Sequence, residues 1–186
     1  MTTANKITIL RIILVPVFMA FLLADNMAYK VIALGIFIIA AASDGIDGYI
    51  ARHHNQITTF GKFMDPLADK MLTTSALLIL LEQGRITWLG SVAVMLVLAR
   101  EFMVAGLRMV AGAEGEVIAA SMFGKIKTVA QMFAIIAAIL LMNENWFAPA
   151  PSLLITNILI WVSTIITVVS GIDYLWKNRG VFSSKK

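Results

Sequence analysis

The stretch SDGIDGYIARHHNQITTFGKFMDPLADK, Ser43 to Lys70, carries four aspartates: Asp44, Asp47, Asp65 and Asp69. The residues before it, VIALGIFIIA (31–40), and after it, TSALLILL (74–81), are oily enough to lie in a lipid bilayer. The reading of the chain turns on what four carboxylates do between two such runs.

Composition supplies the setting. Hydrophobic residues make up 60% of the 186, charged residues only 14%, and the mean hydropathy is +0.87. One soluble core of this size could not hide that much apolar surface. Apolar runs recur instead, near Ile7–Leu23, Val31–Ala51, Pro66–Leu81, Trp88–Val110, Ile126–Met142 and Leu153–Leu175. Each approaches the roughly 20 residues needed to cross about 30 Å of hydrocarbon. Backbone polar groups in lipid are satisfied only in helices or closed barrels. The expected fold is therefore an all-α polytopic membrane protein with six transmembrane helices, forming a single domain over residues 1–186. Arg11 and Pro16 interrupt the first run, so its start is expected as an N-terminal interfacial segment on the membrane surface. The opening MTTANK leads into a long span with no small-residue cleavage site, so no cleavable signal peptide is expected. Cysteine is absent, which excludes disulfides and thiolate metal sites.

Charge sets the orientation. If both termini lie on one side, that side receives 13 of the 15 lysines and arginines, and the other receives only Lys30 and Arg85. The positive-inside rule then places both termini in the cytoplasm. The basic surplus is explained by topology, and no compact basic domain stands outside the membrane to bind nucleic acid.

All four aspartates fall at the cytoplasmic ends of the second and third spans. Asp44 and Asp47 are three apart and Asp65 and Asp69 four apart, spacings that put each pair on one helix face. The short polar connection from Arg52 to Lys62 forces an antiparallel hairpin, so the pairs should face each other. Four converging carboxylates in a poorly hydrated site repel and tend to take up protons. One or two divalent cations resolve that conflict, and an all-oxygen ligand set suits Mg²⁺ or Mn²⁺ rather than zinc. Gly45, Gly48, Ala51 and Gly61 leave room beside the acids, either for close helix packing or for a substrate. Arg52 lies one turn beyond Gly48, a good position for a phosphate oxygen or for a snorkelling interfacial arginine.

The spacing Asp44-x2-Asp47-Gly48-x2-Ala51-Arg52-x8-Gly61-x3-Asp65-x3-Asp69 resembles, without a departure, the signature of the CDP-alcohol phosphotransferases. Eight residues at fixed spacings over 26 positions are a specific signal, and the six-helix layout extends the resemblance over the whole chain. The resemblance implies a membrane-embedded homodimer that transfers a substituted phosphate from a CDP-linked donor to an alcohol and releases CMP. It implies that Asp44, Asp47, Asp65 and Asp69 are ligands of a two-metal centre, with Asp44 and Asp65 bridging. It further implies that Gly48, Ala51, Arg52 and Gly61 line the cytidine diphosphate site, and that Asp69 is the catalytic base for the acceptor hydroxyl. Physical chemistry agrees, since two cations would neutralise a diphosphate and a carboxylate beside them is poised to accept a proton.

The signature leaves the acceptor open, and the later spans address it. LAREFMVAGLRMVA (98–111) places Arg100 and Arg108 near the inner end of the fourth span, and FGKIKTVAQM (123–132) starts the fifth with Lys125 and Lys127. Cations inside apolar segments are expensive and usually functional. The plain alternatives are an ion pair between Arg100 and Glu101 or the aspartates, and topology for Lys125 and Lys127. Both stretches resemble the bacterial glycerophosphate-using branch of the family, in which the positions of Arg100, Arg108 and Lys125 contact the acceptor phosphate. The expected partners are thus CDP-diacylglycerol, glycerol 3-phosphate and the lipid bilayer, with a bacterial inner-membrane location and a site facing the cytoplasm. An inositol phosphate acceptor is the nearest competitor. NKITILRIILVP (5–16) resembles the entrance segment of the same branch, with Asn5, Thr8 and Arg11 expected either near the nucleotide or as interfacial anchors. A divalent-cation transporter is the rival from another class, but no second acidic site continues across the second and third spans.

Overall fold

The computed structural model describes residues 3–53, 59–113, 118, 121–143 and 147–182. Within these, the side chains of residues 3–6, 44–53, 59–63, 65, 66, 69, 113, 181 and 182 lie outside the description. Each expected apolar run is helical: α1 Thr3–Leu23, α2 Met27–His53, α3 Thr59–Glu82, α4 Gly90–Ala113, α5 Met122–Leu140 and α6 Pro149–Lys177. A short 3₁₀ turn, Arg179–Phe182, follows α6. Among the described residues there is no strand. Among the described residues three helices are long and apolar enough to cross a membrane, Gly90–Gly112, Met122–Leu140 and Pro149–Lys177, and two shorter apolar stretches occupy Ile7–Leu23 and Met27–Ser43.

The helices form two packed groups. α1 lies against α2 and α3, and α6 lies against α4 and α5, while α2 and α3 join the groups through α5 and α4. One apolar core runs through all six, from Val15, Phe18 and Leu22 on α1 to Phe37, Leu72, Leu80, Val97, Ile135 and Ile160. Large apolar side chains also cover the outside, among them Ile39, Phe102, Met109, Val129, Phe133 and Ile165. Such a surface is at rest in lipid, not in water.

α1 is one continuous helix through Arg11 and Pro16. Its buried stripe is Thr8, Arg11, Val15, Phe18 and Leu22, spaced three and four apart as one helix face requires. The arginine is therefore on the packed face, which is why the apolar pattern of this span is broken in sequence while the helix is not. Pro16 lies off this stripe and is exposed.

At the end far from the aspartates, Asn157 of α6 ties down the α3–α4 connection. Its Oδ1 accepts from the backbone N–H of Thr87 at 3.0 Å and of Trp88 at 3.1 Å, and its Nδ2 donates to the Arg85 carbonyl at 3.1 Å. The Trp161 indole donates to the Trp88 carbonyl at 2.7 Å. The turn itself needs Gly84, whose φ is 66°. α6 also carries buried hydroxyls that bond back to their own helix, such as Thr164 to the Ile160 carbonyl at 2.8 Å and Thr167 to the Ser163 carbonyl at 2.7 Å. Small satisfied residues of this kind let membrane helices approach closely.

Candidate active site

Asp44 and Asp47 lie on α2, and Asp65 and Asp69 lie on α3, with the helix unbroken through both pairs. Each pair therefore keeps the one-face spacing expected of it. α2 packs on α3, and five residues separate His53 from Thr59, so the two acid-bearing ends belong to one helical hairpin. The side chains of Asp44, Asp47, Gly48, Ala51, Arg52, Gly61, Asp65 and Asp69 lie outside the described residues.

α1 supplies a third wall to this hairpin. The Phe18 and Phe37 rings meet at 5.6 Å and the Phe21 and Tyr29 rings at 5.5 Å, which fixes α1 antiparallel to α2. Gln83 Nε2 donates to the Leu22 carbonyl at 2.9 Å, fixing α3 parallel to α1. Helices rise about 1.5 Å per residue. Counted along the helices, the two ring contacts put Arg11 level with residues 39–44 of α2, and the Gln83–Leu22 bond puts Thr8 near the level of Asp69. Thr8 and Arg11 are buried, at 0% and 1% exposure, on the face of α1 that meets α2 and α3. They are thus packed inside the bundle and not on its outer surface.

The expected acceptor cations divide into two kinds. Arg100 is buried on α4. Its Nη2 donates to Ser170 Oγ of α6 at 3.0 Å and its Nη1 lies 3.4 Å from Glu101 Oε1. Its Nε is buried with no hydrogen-bond partner among the described residues. Gly171 lets the α6 backbone reach the Arg100 stem, and Gly124 at the start of α5 leaves room for the guanidinium. Arg108, two turns further along α4, and Lys125, in the first turn of α5, are both exposed. Arg108 Nε donates to the Tyr174 hydroxyl at 3.0 Å, and its guanidinium lies 5.6 Å from that ring. Tyr174 in turn packs with Val104 and Leu107, so an apolar cluster seats Arg108 at the mouth of the same α4–α6 seam.

Three further residues meet at this point. Lys127, for which topology is the plain alternative in the sequence, is buried and forms an ion pair with Glu101 Oε1. Ser170, unremarkable in an apolar span, is the buried partner of Arg100. Lys70, next to Asp69, donates to the Glu101 carbonyl at 3.4 Å and so links the acid-bearing helix to α4. Their partners sit on other helices, and spacing along the chain carries no signal for that. A recess of about 600 Å³ also opens between α4 and α6, lined by Met103, Ile172, Leu175, Trp176 and Arg179. Its walls are apolar apart from Arg179.

Comparison with known proteins bears on this geometry. A family model described as CDP-alcohol phosphatidyltransferase matches residues 1–169. A Bacillus subtilis protein named CDP-diacylglycerol–glycerol-3-phosphate 3-phosphatidyltransferase is 42% identical over 187 residues, covering 94% of this chain and 93% of its own. Proteins of the same name from Haemophilus influenzae and Rickettsia felis are 37% and 35% identical, covering 94% and 91% of this chain and 91% of their own in both cases.

Proposed function

Because the chain belongs to the CDP-alcohol phosphatidyltransferase family, we propose that it moves the phosphatidyl group of CDP-diacylglycerol onto sn-glycerol 3-phosphate. The products are phosphatidylglycerophosphate and CMP, which places the enzyme in phospholipid biosynthesis. The observation that carries this assignment is full-length similarity to relatives bearing that one activity in their names. The buried and exposed cations of α4 and α5 support an acceptor that is itself a phosphate ester.

The residues divide the work as follows. Gly48, Ala51, Arg52 and Gly61 line the cytidine diphosphate site at the α2–α3 hairpin. Arg100, Arg108 and Lys125 hold the acceptor phosphate. Asp69 takes the proton from the acceptor hydroxyl as its oxygen attacks the lipid-bearing phosphorus, and the bond from that phosphorus to the CMP oxygen breaks. Asp44, Asp47, Asp65 and Asp69 fit a pair of Mg²⁺ or Mn²⁺ ions, being all-oxygen donors one turn apart on two packed helices. Such ions, when bound, supply charge neutralisation at the diphosphate and the departing CMP.

The chain acts as a single domain of six membrane spans, with both termini and the site facing the cytoplasm of a bacterial inner membrane, as a homodimer. The continuous α1 carries the interfacial segment at its start. Arg108→Ala and Lys125→Ala test the acceptor assignment. Each removes one charge-assisted contact, costing about 1.5–3 kcal/mol. The expected result is a rise of about ten- to a hundredfold in KM for glycerol 3-phosphate with the donor KM unchanged. A rise confined to the KM for CDP-diacylglycerol would put these cations on the wrong substrate.

A further inference from the structure

α4 carries Arg100 near its middle and Arg108 two turns further on, and the first two turns of α5 carry Lys125 and Lys127. Two of them, Arg100 and Lys127, are buried, and both reach the same carboxylate, Glu101. They do not reach it equally. Lys127 Nζ is in direct contact with Glu101 Oε1, whereas Arg100 Nη1 stands off at 3.4 Å, at the long limit of a hydrogen bond. Among the described residues the remaining partner of Arg100 is the neutral Ser170 hydroxyl, and its buried Nε has none. Buried donors are almost always satisfied, and an exception marks a place where something else completes the bonding. Both cations therefore share one carboxylate, with Lys127 making the closer contact and Arg100 the longer one.

A carboxylate beside Arg100 is a hazard for an enzyme that needs this arginine for a phosphate. Without Lys127, the cations beside Glu101 are Arg100 and Lys70, and Arg100, already in contact with the carboxylate oxygen, is the one it would turn to. Glu101 would then compete with any incoming phosphate for the same guanidinium. We infer that Lys127 is a positioning residue that occupies Glu101, and so leaves the Arg100 guanidinium available to the acceptor phosphate. This rests on the assignment of Arg100, Arg108 and Lys125 to the acceptor. Lys127 acts through Glu101 and touches no substrate.

The test is a charge-compensated pair of variants, Lys127→Met and Glu101→Gln/Lys127→Met, in purified detergent-solubilised enzyme. Two constants are read: KM for glycerol 3-phosphate, and the inhibition constant of inorganic phosphate competing with it. In Lys127→Met, Glu101 captures Arg100, and both constants rise by about tenfold, the loss of one charge-assisted contact. KM for CDP-diacylglycerol stays at the parent value. In the double variant no carboxylate remains to capture Arg100, and both constants return to within about threefold of the parent. A purely structural ion pair would lower the unfolding temperature and the active fraction of Lys127→Met while leaving both constants unchanged, and that result overturns the inference. Failure of the double variant to recover also overturns it. Arg108→Ala and Lys125→Ala run in parallel. If they leave the acceptor KM unchanged, the acceptor assignment itself falls. If they raise it and Lys127→Met does not, only the role of Lys127 falls.

Discussion

Gly171→Ala adds one methyl group at the point where α6 meets the Arg100 stem. The new Cβ would sit 2.8 Å from Arg100 Cγ and 3.2 Å from Met103 Cε. Carbon atoms in contact lie about 3.5–4.0 Å apart, so the stem and the α6 backbone must separate by about 1 Å. Arg100 cannot simply swing aside, because its guanidinium is tied to Ser170 on the adjoining position of α6 and lies beside Glu101. A 1 Å separation takes the 3.0 Å bond to Ser170 beyond bonding distance. Overpacking of this kind costs about 1–3 kcal/mol, and losing a hydrogen bond to a charged group about 1.5–3 kcal/mol. One displacement causes both, so they overlap, and about 2–4 kcal/mol is expected in all. Thermal unfolding in detergent should move down by roughly 5–15 °C for a chain of this size. kcat/KM for glycerol 3-phosphate should fall at least about tenfold with donor KM unchanged. Gly106→Ala on α4 is the control, since a Cβ there meets nothing within 4 Å. It should be neutral or slightly stabilising. Acceptor kcat/KM within twofold of the parent in Gly171→Ala would refute the view that the Arg100 position governs acceptor use.

Other expectations concern the metals, the base and the far end of the bundle. A strong chelator should abolish activity and Mg²⁺ or Mn²⁺ should restore it, with Asp44→Asn and Asp65→Asn the most damaging single changes; full turnover in chelator would contradict the two-metal reading. Asp69→Asn should lower kcat by roughly 10²–10⁴ while CDP-diacylglycerol still binds, and near-parental turnover would remove Asp69 from the chemistry. Asn157→Ala should lower stability by about 2–4 kcal/mol, because it strands two backbone N–H groups and one carbonyl of the α3–α4 turn. Its kinetic constants at low temperature should stay parental, since the change lies at the opposite end from the aspartates; unfolding unchanged within 0.5 kcal/mol, a margin about the size of a neutral surface substitution, would contradict this.

The helices were legible in the apolar runs, but their ends were not. The third span was expected from Pro66, yet α3 begins at Thr59 and passes through the proline. The second was expected to stop at Ala51 and continues to His53. Hydropathy marks where a segment leaves lipid, whereas the helix ends where its hydrogen bonds do, and the polar stretch around the aspartates is still helical. The same distinction explains α1, in which Arg11 breaks the apolar pattern because it faces the other helices and not lipid. Among the cations, sequence could nominate Arg100, Arg108 and Lys125 but not grade them. Arg100 and Arg108 are two turns apart on one helix, and only the close approach of α6 at Gly171 buries the first while the second stays exposed. The Lys127–Glu101 pair joins residues 26 apart on different helices, a meeting that only tertiary packing creates.

The identity of the acceptor is the central claim, and an acceptor screen measures it directly. Purified protein would be given labelled CDP-diacylglycerol, Mg²⁺ and, in separate reactions, glycerol 3-phosphate, inositol phosphate, serine or no acceptor, with CMP and lipid product followed together. The expected result is CMP release with phosphatidylglycerophosphate formation from glycerol 3-phosphate, and at most trace turnover with the others. Equal use of inositol phosphate would contradict the acceptor assignment, and no CMP release with any acceptor would contradict the transferase itself.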